Sequence, residues 1–143
     1  MAAYLQPGFD PTLPEQRLIS AAAVVKGDVR VLDESVVDST SLRFTTMVAV
    51  ATADLEAGIF GVALEDGAAN EEVLWGFEGS FRVQVNGPIA LEDTLGGVNG
   101  QDYLDGTGAN GKVIAKPLET NSSGQALKVC LVSGIHGFGN DNA

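Results

Sequence analysis

Few residues in this chain have types and spacing that could support chemistry, and the first group forms a glycine-rich loop. Residues Gly106–Gly111 match the G-x-G-x-x-G pattern of dinucleotide-binding loops. Such a site needs a strand before the loop and a helix after it, because the helix N-terminus meets the pyrophosphate. The residues that follow, Lys112–Leu118, have the composition of a strand. We predict an outer or edge strand there, because Pro117 lacks the N–H that a central strand needs. The pattern therefore predicts a turn and not a phosphate-binding loop.

Acidic and histidine side chains are the candidates for metal binding. Asp102, Asp105 and Asn110 lie near one another in the longer turn-rich segment Gly96–Gly111 and carry the oxygen ligands that calcium prefers. The ligand order of an EF-hand is absent, so the loop is better interpreted as solvated. His136 is the single histidine, which excludes a zinc-binding histidine cluster and a triad with a histidine base. We expect His136 near the surface end of a strand, and no metal site.

One thiol, two acidic pairs and a short C-terminal motif are the remaining candidates for catalysis. Cys130 lies in an apolar run, where a cysteine behaves as a small hydrophobe, and a lone cysteine excludes an internal disulfide. Glu71–Glu72 and Glu92–Asp93 are interpreted as solvated turn residues. Gly137–Phe138–Gly139 resembles the C-terminal motif of trimeric dUTP pyrophosphatases, but the phosphate-binding and metal-side motifs of that family are missing. The sequence therefore predicts a protein that is not an enzyme and uses no cofactor.

Composition and charge limit the class of protein. The chain has 143 residues, of which 45% are hydrophobic, with 18 glycines and five prolines. These values predict one folded domain with many tight turns, as in all-β proteins. No apolar run approaches the roughly 18–20 residues of a membrane span, and no basic segment precedes an apolar one at Met1. A net charge of −11 repels a phosphate backbone, so we expect a soluble protein that binds neither nucleic acid nor membrane.

The stretch Ala57–Asn86 is the strongest structural signal. Its second half alternates apolar and polar residues, which is typical of a strand with one face in a core and the other in water. The run is longer than an ordinary strand of roughly 5–6 residues, so Gly76 and Gly79 are predicted to be bends where the ribbon turns a corner. Residues 58–64 form a shorter apolar strand, joined through a turn at 65–70. The predicted core face comprises Val73, Trp75, Phe77, Phe81, Val83 and Val85.

Other apolar runs, separated by turn residues, extend this pattern along the chain. They predict an all-β fold, a single small β-barrel or β-sandwich of about eight to nine strands with an extended N-terminal arm. We place the barrel domain at residues 18–136 and a flexible C-terminal tail at residues 137–143.

The N-terminal arm, residues 1–17, is rich in proline. Its three prolines exclude a helix and favour extended backbone. The arm is also too apolar for a purely solvated tail, which leaves two interpretations: a disordered terminus, or an arm that lies on a neighbouring subunit or partner. For the second interpretation the candidate partner-binding residues are Tyr4, Leu5, Pro7, Phe9, Pro11 and Leu13.

Three segments carry a resemblance to a known family. They are KGDVRV from Lys26, ADLEAGIFGVALEDGAA from Ala53 and VLWGFEGSFRV from Val73. Together they are similar to small β-barrel proteins of tailed bacteriophages that act as capsid decoration or cement proteins. The resemblance implies a structural virion protein without an active site, commonly trimeric, on the outer face of an icosahedral shell. Its implied partner is the phage major capsid protein.

The resulting functional prediction is a protein made in the host cytoplasm that binds the outer capsid surface and bridges neighbouring major capsid subunits. Two alternatives stay open: another phage head or tail structural protein with the same barrel, and a carbohydrate-binding adhesin module. Sugar-binding platforms usually expose several aromatic side chains, whereas Trp75 and most phenylalanines here fall on the predicted core face.

Overall fold

The computed structural model describes residues 8–38, 43–106 and 111–141, and this part of the chain is almost entirely β-structure. It contains twelve strands and one 3-10 helix, Thr52–Asp54. The strands are β1 (Glu15–Ser20), β2 (Val29–Leu32), β3 (Thr46–Val48), β4 (Phe60–Ala63), β5 (Glu72–Gly76), β6 (Glu78–Asn86), β7 (Leu95–Gly97), β8 (Leu104–Gly106), β9 (Gly111–Lys112), β10 (Ala115–Pro117), β11 (Gln125–Ser133) and β12 (Asn140–Asp141).

The strands close into two barrels of five strands each. The first barrel has the order β1-β3-β2-β4-β5, the second has the order β10-β11-β6-β8-β7, and β12 pairs with β9 in a separate two-stranded sheet. The predicted all-β fold is confirmed. The predicted single barrel of about eight to nine strands is not, because the strands divide between two closed sheets. Closure leaves neither five-stranded sheet with a free edge.

The ribbon Glu72–Asn86 connects the two barrels. Its first part is β5, which pairs with β1 and β4, and its second part is β6, which pairs with β11 and β8. The chain changes sheet at Phe77, between Gly76 and Gly79. Gly79 has a φ of 140°, and a Cβ on Gly76 would lie 2.7 Å from the Phe81 ring. The two glycines therefore flank the point where the chain passes from one barrel to the other.

The buried apolar side chains form two clusters, one within the first barrel and one that combines residues of both barrels. In the first barrel, Trp75 is fully buried and its indole Nε1 donates a hydrogen bond to the Leu18 carbonyl oxygen at 3.1 Å. The shared cluster brings Val83 and Val85 of β6 together with Val31 of β2 and Phe60 of β4. Of the predicted core face, Phe81 is only partly buried, and the others are fully buried: Val73, Trp75, Phe77, Val83 and Val85.

The first strand begins slightly before the predicted start of the barrel domain. β1 starts at Glu15, which lies opposite Gly76 of β5, and the pairing continues to Ile19 opposite Glu72. Gln16, within the predicted arm, has only 8% of its surface exposed. The end of the arm is therefore part of the first barrel.

Candidate functional site

The acidic residues singled out for calcium do not form a ligand cluster. Asp102 accepts a hydrogen bond from the guanidinium of buried Arg30 at 2.5 Å, and Arg30 also donates to the Val29 carbonyl oxygen at 3.1 Å. Asp105 lies in β8, where burial raises the pKa of its carboxyl. Asn110 lies outside the described residues, as does most of the glycine-rich loop. Within residues 8–38, 43–106 and 111–141, no group of three or more His, Cys, Asp and Glu side chains could hold a metal ion.

The thiol and the imidazole have separate, unremarkable environments. Cys130 is fully buried in the core of the second barrel, and burial, followed by the charge of Glu119, raises the pKa of its thiol to about 11. A thiol with that pKa is protonated at neutral pH and a poor nucleophile. His136 is exposed in the turn after β11, so its predicted position is confirmed. The structure does not bring these two groups together with an acid to form a catalytic set.

The predicted partner-binding residues of the arm that the structure describes have different environments. The Phe9 ring packs edge-on against Phe77 with ring centroids 5.2 Å apart, and the Phe9 N–H donates to the Phe44 carbonyl oxygen at 2.7 Å. Phe9 therefore lies on the barrel of its own chain. Pro11 and Leu13 are exposed. Tyr4, Leu5 and Pro7 lie outside the described residues, and partner binding by the arm stays a prediction.

A buried lysine lies where the two barrels meet. Lys112 has 7% of its surface exposed, and its Nζ donates to the carbonyl oxygens of Gly58 at 2.8 Å, Ile135 at 2.9 Å and Gly134 at 3.2 Å. Gly58 precedes β4 of the first barrel, whereas Gly134 and Ile135 follow β11 of the second. One ammonium group thus connects the two barrels, and its burial lowers the pKa of Lys112.

The main chains of the two barrels are in direct contact beside this lysine. The Phe60 N–H donates to the Gly134 carbonyl oxygen at 3.0 Å, and the Gly134 N–H donates to the Phe77 carbonyl oxygen at 2.7 Å. A Cβ on Gly134 would overlap the carbonyl oxygen of Phe60. Position 134 therefore requires glycine because of this close approach.

An exposed surface of mixed character covers one side of the second barrel. We call it the β6–β10–β11 face, and it consists of the outward side chains of three neighbouring strands and the residue after β10. Along β11, Cys130 and Val132 are buried, and the alternating residues Val129 and Leu131 point outward. The outward members of the face are Ser80, Arg82, Lys116, Leu118, Val129 and Leu131.

The pairing register places these side chains next to one another. Leu131 lies between Ser80 of β6 and Lys116 of β10, and Val129 lies opposite Arg82. Directly opposed residues of antiparallel strands have Cβ atoms about 4.5–5.5 Å apart. The β6–β10–β11 face is therefore a continuous surface that combines apolar side chains with two cations.

Neither this face nor the buried lysine was predicted from the sequence. A signal for the face existed, because the run ALKVCLVSGI is apolar at both odd and even positions, and such a strand is typical of one that is covered on both faces. For Lys112 the sequence carries no comparable signal, because lysine is almost always exposed.

Comparisons with known proteins add a structural likeness. No protein-family model matches the sequence, and no curated protein gives a significant match. The chain is similar to the crystal structure of the N base of head fiber gp8.5 in bacteriophage phi29, with a TM-score of 0.59 and 13% sequence identity. The likeness covers 83% of this chain and 92% of that one. At this identity the likeness establishes the fold. No helix in the part of the chain that the structure describes is long and apolar enough to cross a membrane.

Proposed function

We propose that this chain is a structural protein of a bacteriophage virion that binds the outer surface of the capsid and bridges neighbouring major capsid subunits. The observation that carries the proposal is the fold. Nearly the whole chain shares its fold with the N base of a phage head fiber protein. The sequence resemblance to phage decoration proteins, in residues of both barrels, supports the same class of function independently.

The side chains support a role without catalysis. The thiol is buried and protonated, the Asp102 carboxylate is paired with Arg30, and the imidazole of His136 is exposed away from both. The chain carries a net charge of −11, which suits the outside of a capsid better than its DNA-filled interior. We therefore propose a non-enzymatic protein that needs no cofactor and lies on the outer capsid surface.

The proposed mechanism is multivalent clamping by a homotrimer. Each protomer makes a modest contact with a capsid subunit, and linking three protomers raises the effective concentration of the second and third contacts. A protein that binds only the assembled shell stabilises that shell by mass action. The two closed barrels suit a protein that is displayed on a shell surface, because their closed sheets leave no free edge that would pair with other chains.

One alternative has a specific observation in its favour. The similar solved structure is described as the base of a head fiber, so a head structural protein that acts as a fiber base is the second candidate function. A carbohydrate-binding adhesin is less well supported, because Trp75 and Phe77 are fully buried and cannot stack on a sugar.

Addition of the purified protein to intact heads tests the proposal. Heads are prepared from the encoding phage with this gene deleted, and the protein is added from outside before sedimentation. We expect saturable sedimentation of the protein with the heads, and heads that release DNA at a higher temperature. Purified tails serve as the control particle. Binding to glycans without heads, or binding to tails alone, would contradict the proposal.

A further inference from the structure

The outward side chains of β11 are apolar where a solvated strand has polar residues. Cys130 and Val132 face the core and are almost fully buried. The outward residues Val129 and Leu131 are also apolar, and 39% of Leu131 is exposed. A strand that is apolar on both faces is typical of a strand with packing partners on both sides. On the outer side, Leu127 lies against Gly27 of the first barrel, whereas Leu131 further along the strand stays exposed.

Neighbouring residues enlarge the apolar part of the β6–β10–β11 face. Leu118 follows β10, is 52% exposed, and donates its N–H to the Val129 carbonyl oxygen at 2.9 Å. Phe138 is 37% exposed, and its ring centroid lies 5.0 Å from the Lys116 Nζ. Single exposed apolar residues are normal on a protein surface, but a contiguous group with a polar rim is typical of an interaction site.

The same face holds two cations that have no ion-pair partner among the described residues. Arg82 lies opposite Val129, and Lys116 lies opposite Leu131. Three other cations have partners within the fold, since Arg30 and Lys112 are buried and hydrogen-bonded and Arg17 pairs with Glu65. The face is therefore a place where positive charge stays available on a chain of net charge −11.

We propose that the β6–β10–β11 face docks a surface of another protein that presents carboxylates among apolar side chains. The inference rests on the proposed function, under which that protein is a capsid subunit. The apolar residues supply the area that leaves water, and the arginine and lysine supply charge-assisted hydrogen bonds to the partner's carboxylates. Interfaces of this kind commonly draw most of their binding energy from arginine and large apolar anchors at the centre.

A second copy of this chain is the poorer occupant. A two-fold contact through this face would place Arg82 and Lys116 of one copy next to the same cations of the other. Like charges brought together at an interface oppose association.

Binding of surface variants to heads tests the inference. The charge variant is R82E/K116E and the apolar variant is L131S. The matched control is V25S/K26E, which changes an exposed valine and an exposed lysine on the turn before β2 of the first barrel. We expect the charge variant to bind gene-deleted heads at least about tenfold more weakly, the apolar variant several-fold more weakly, and the control within about twofold of the wild type. Rising salt should weaken the wild type and leave the charge variant almost unchanged.

The outcomes separate this inference from the proposed function. If the wild type does not bind heads, the proposed function fails. If the wild type binds and both face variants bind equally well, only the docking face is wrong. Sedimentation velocity without heads tests whether the face serves self-association instead. A change in oligomeric state in R82E/K116E or L131S, with none in V25S/K26E, would assign the face to self-association and overturn the proposal. Melting temperatures close to that of the wild type establish that each variant is folded.

Discussion

Replacing Lys112 with methionine tests how the two barrels are held together. Methionine keeps the apolar stem but removes the ammonium that donates to three carbonyl oxygens. The Gly134 carbonyl oxygen keeps the Phe60 N–H as a donor, whereas those of Gly58 and Ile135 lose their Lys112 donor. Loss of the donor costs roughly 1–3 kcal/mol for a buried carbonyl such as that of Gly58, and less for the partly buried carbonyl of Ile135. Release of the buried charge offsets part of this cost, so we expect a net loss of about 2–4 kcal/mol of unfolding free energy.

The pH dependence gives the same prediction a sign. Burial lowers the pKa of Lys112 below its ordinary value of 10.5. Between the lowered pKa and 10.5 the unfolded chain binds more protons than the folded chain, so the contribution of Lys112 to stability increases with pH in that window. The contribution is fully present above 10.5 and decreases as pH falls through the folded-state pKa. We therefore expect the wild type to gain stability relative to K112M as the pH rises.

Urea unfolding of three proteins measures both effects. The control variant is K116M, which removes an exposed lysine two residues before Leu118 and should change stability by less than about 0.5 kcal/mol. Unfolding free energies of wild type, K112M and K116M are compared from neutral pH to above 10.5. Equal stability of K112M and K116M would refute the role of Lys112. A wild type that loses stability relative to K112M with rising pH would show that the three carbonyls raise the pKa instead of burial lowering it.

Three further predictions concern the barrel contact, the thiol and the arm. Gly134→Ala places a Cβ on the Phe60 carbonyl oxygen and should abolish folding or lower the melting temperature sharply. The control Gly106→Ala, whose Cβ meets nothing within 4 Å, should be tolerated. Equal melting temperatures of the two variants would disprove the close approach at Gly134. Cys130, with a thiol pKa of about 11, should react with a thiol reagent at pH 8 only after unfolding, and rapid reaction of the native protein would contradict its burial. Deletion of residues 1–7 should preserve the melting temperature but weaken binding to heads; unchanged binding would exclude the arm as a contact.

The ribbon from β5 to β6 shows what the sequence could predict. Alternation identified which side chains of this segment enter a core, and the two glycines predicted as bends flank the point where it passes from one barrel to the other. Alternation depends only on neighbours in sequence, but closure of a barrel depends on distant pairs such as Glu15 opposite Gly76. The sequence therefore predicted the strands and their faces, and it did not predict that the strands divide between two barrels.

Pro117 illustrates the same limit on a smaller scale. Its missing N–H predicted an outer or edge strand. In the structure β10 lies between β11 and β7, but its pairing with β7 is limited to Ala115. Pro117 therefore has a partner strand on one side, β11. The local prediction is correct at the proline and incomplete for the strand, because the pairing of Ala115 depends on residues far away in the sequence.

The candidate site was less predictable than the fold. Cys130 was correctly interpreted as a core residue, and His136 lies near the surface end of a strand as predicted. The β6–β10–β11 face depends on three strands from separate parts of the chain, so no local motif marks it. Lys112 is buried only because carbonyls from both barrels meet around its ammonium.

Cryo-electron microscopy of gene-deleted heads, with and without added protein, tests the central claim most directly. The account predicts additional density on the outer surface, positioned across the junctions between adjacent capsid subunits and fitted by the two five-stranded barrels. It further predicts that the β6–β10–β11 face lies against the shell. Heads that gain no density, or density confined to the interior or to the tail attachment site, would contradict the proposed bridging role.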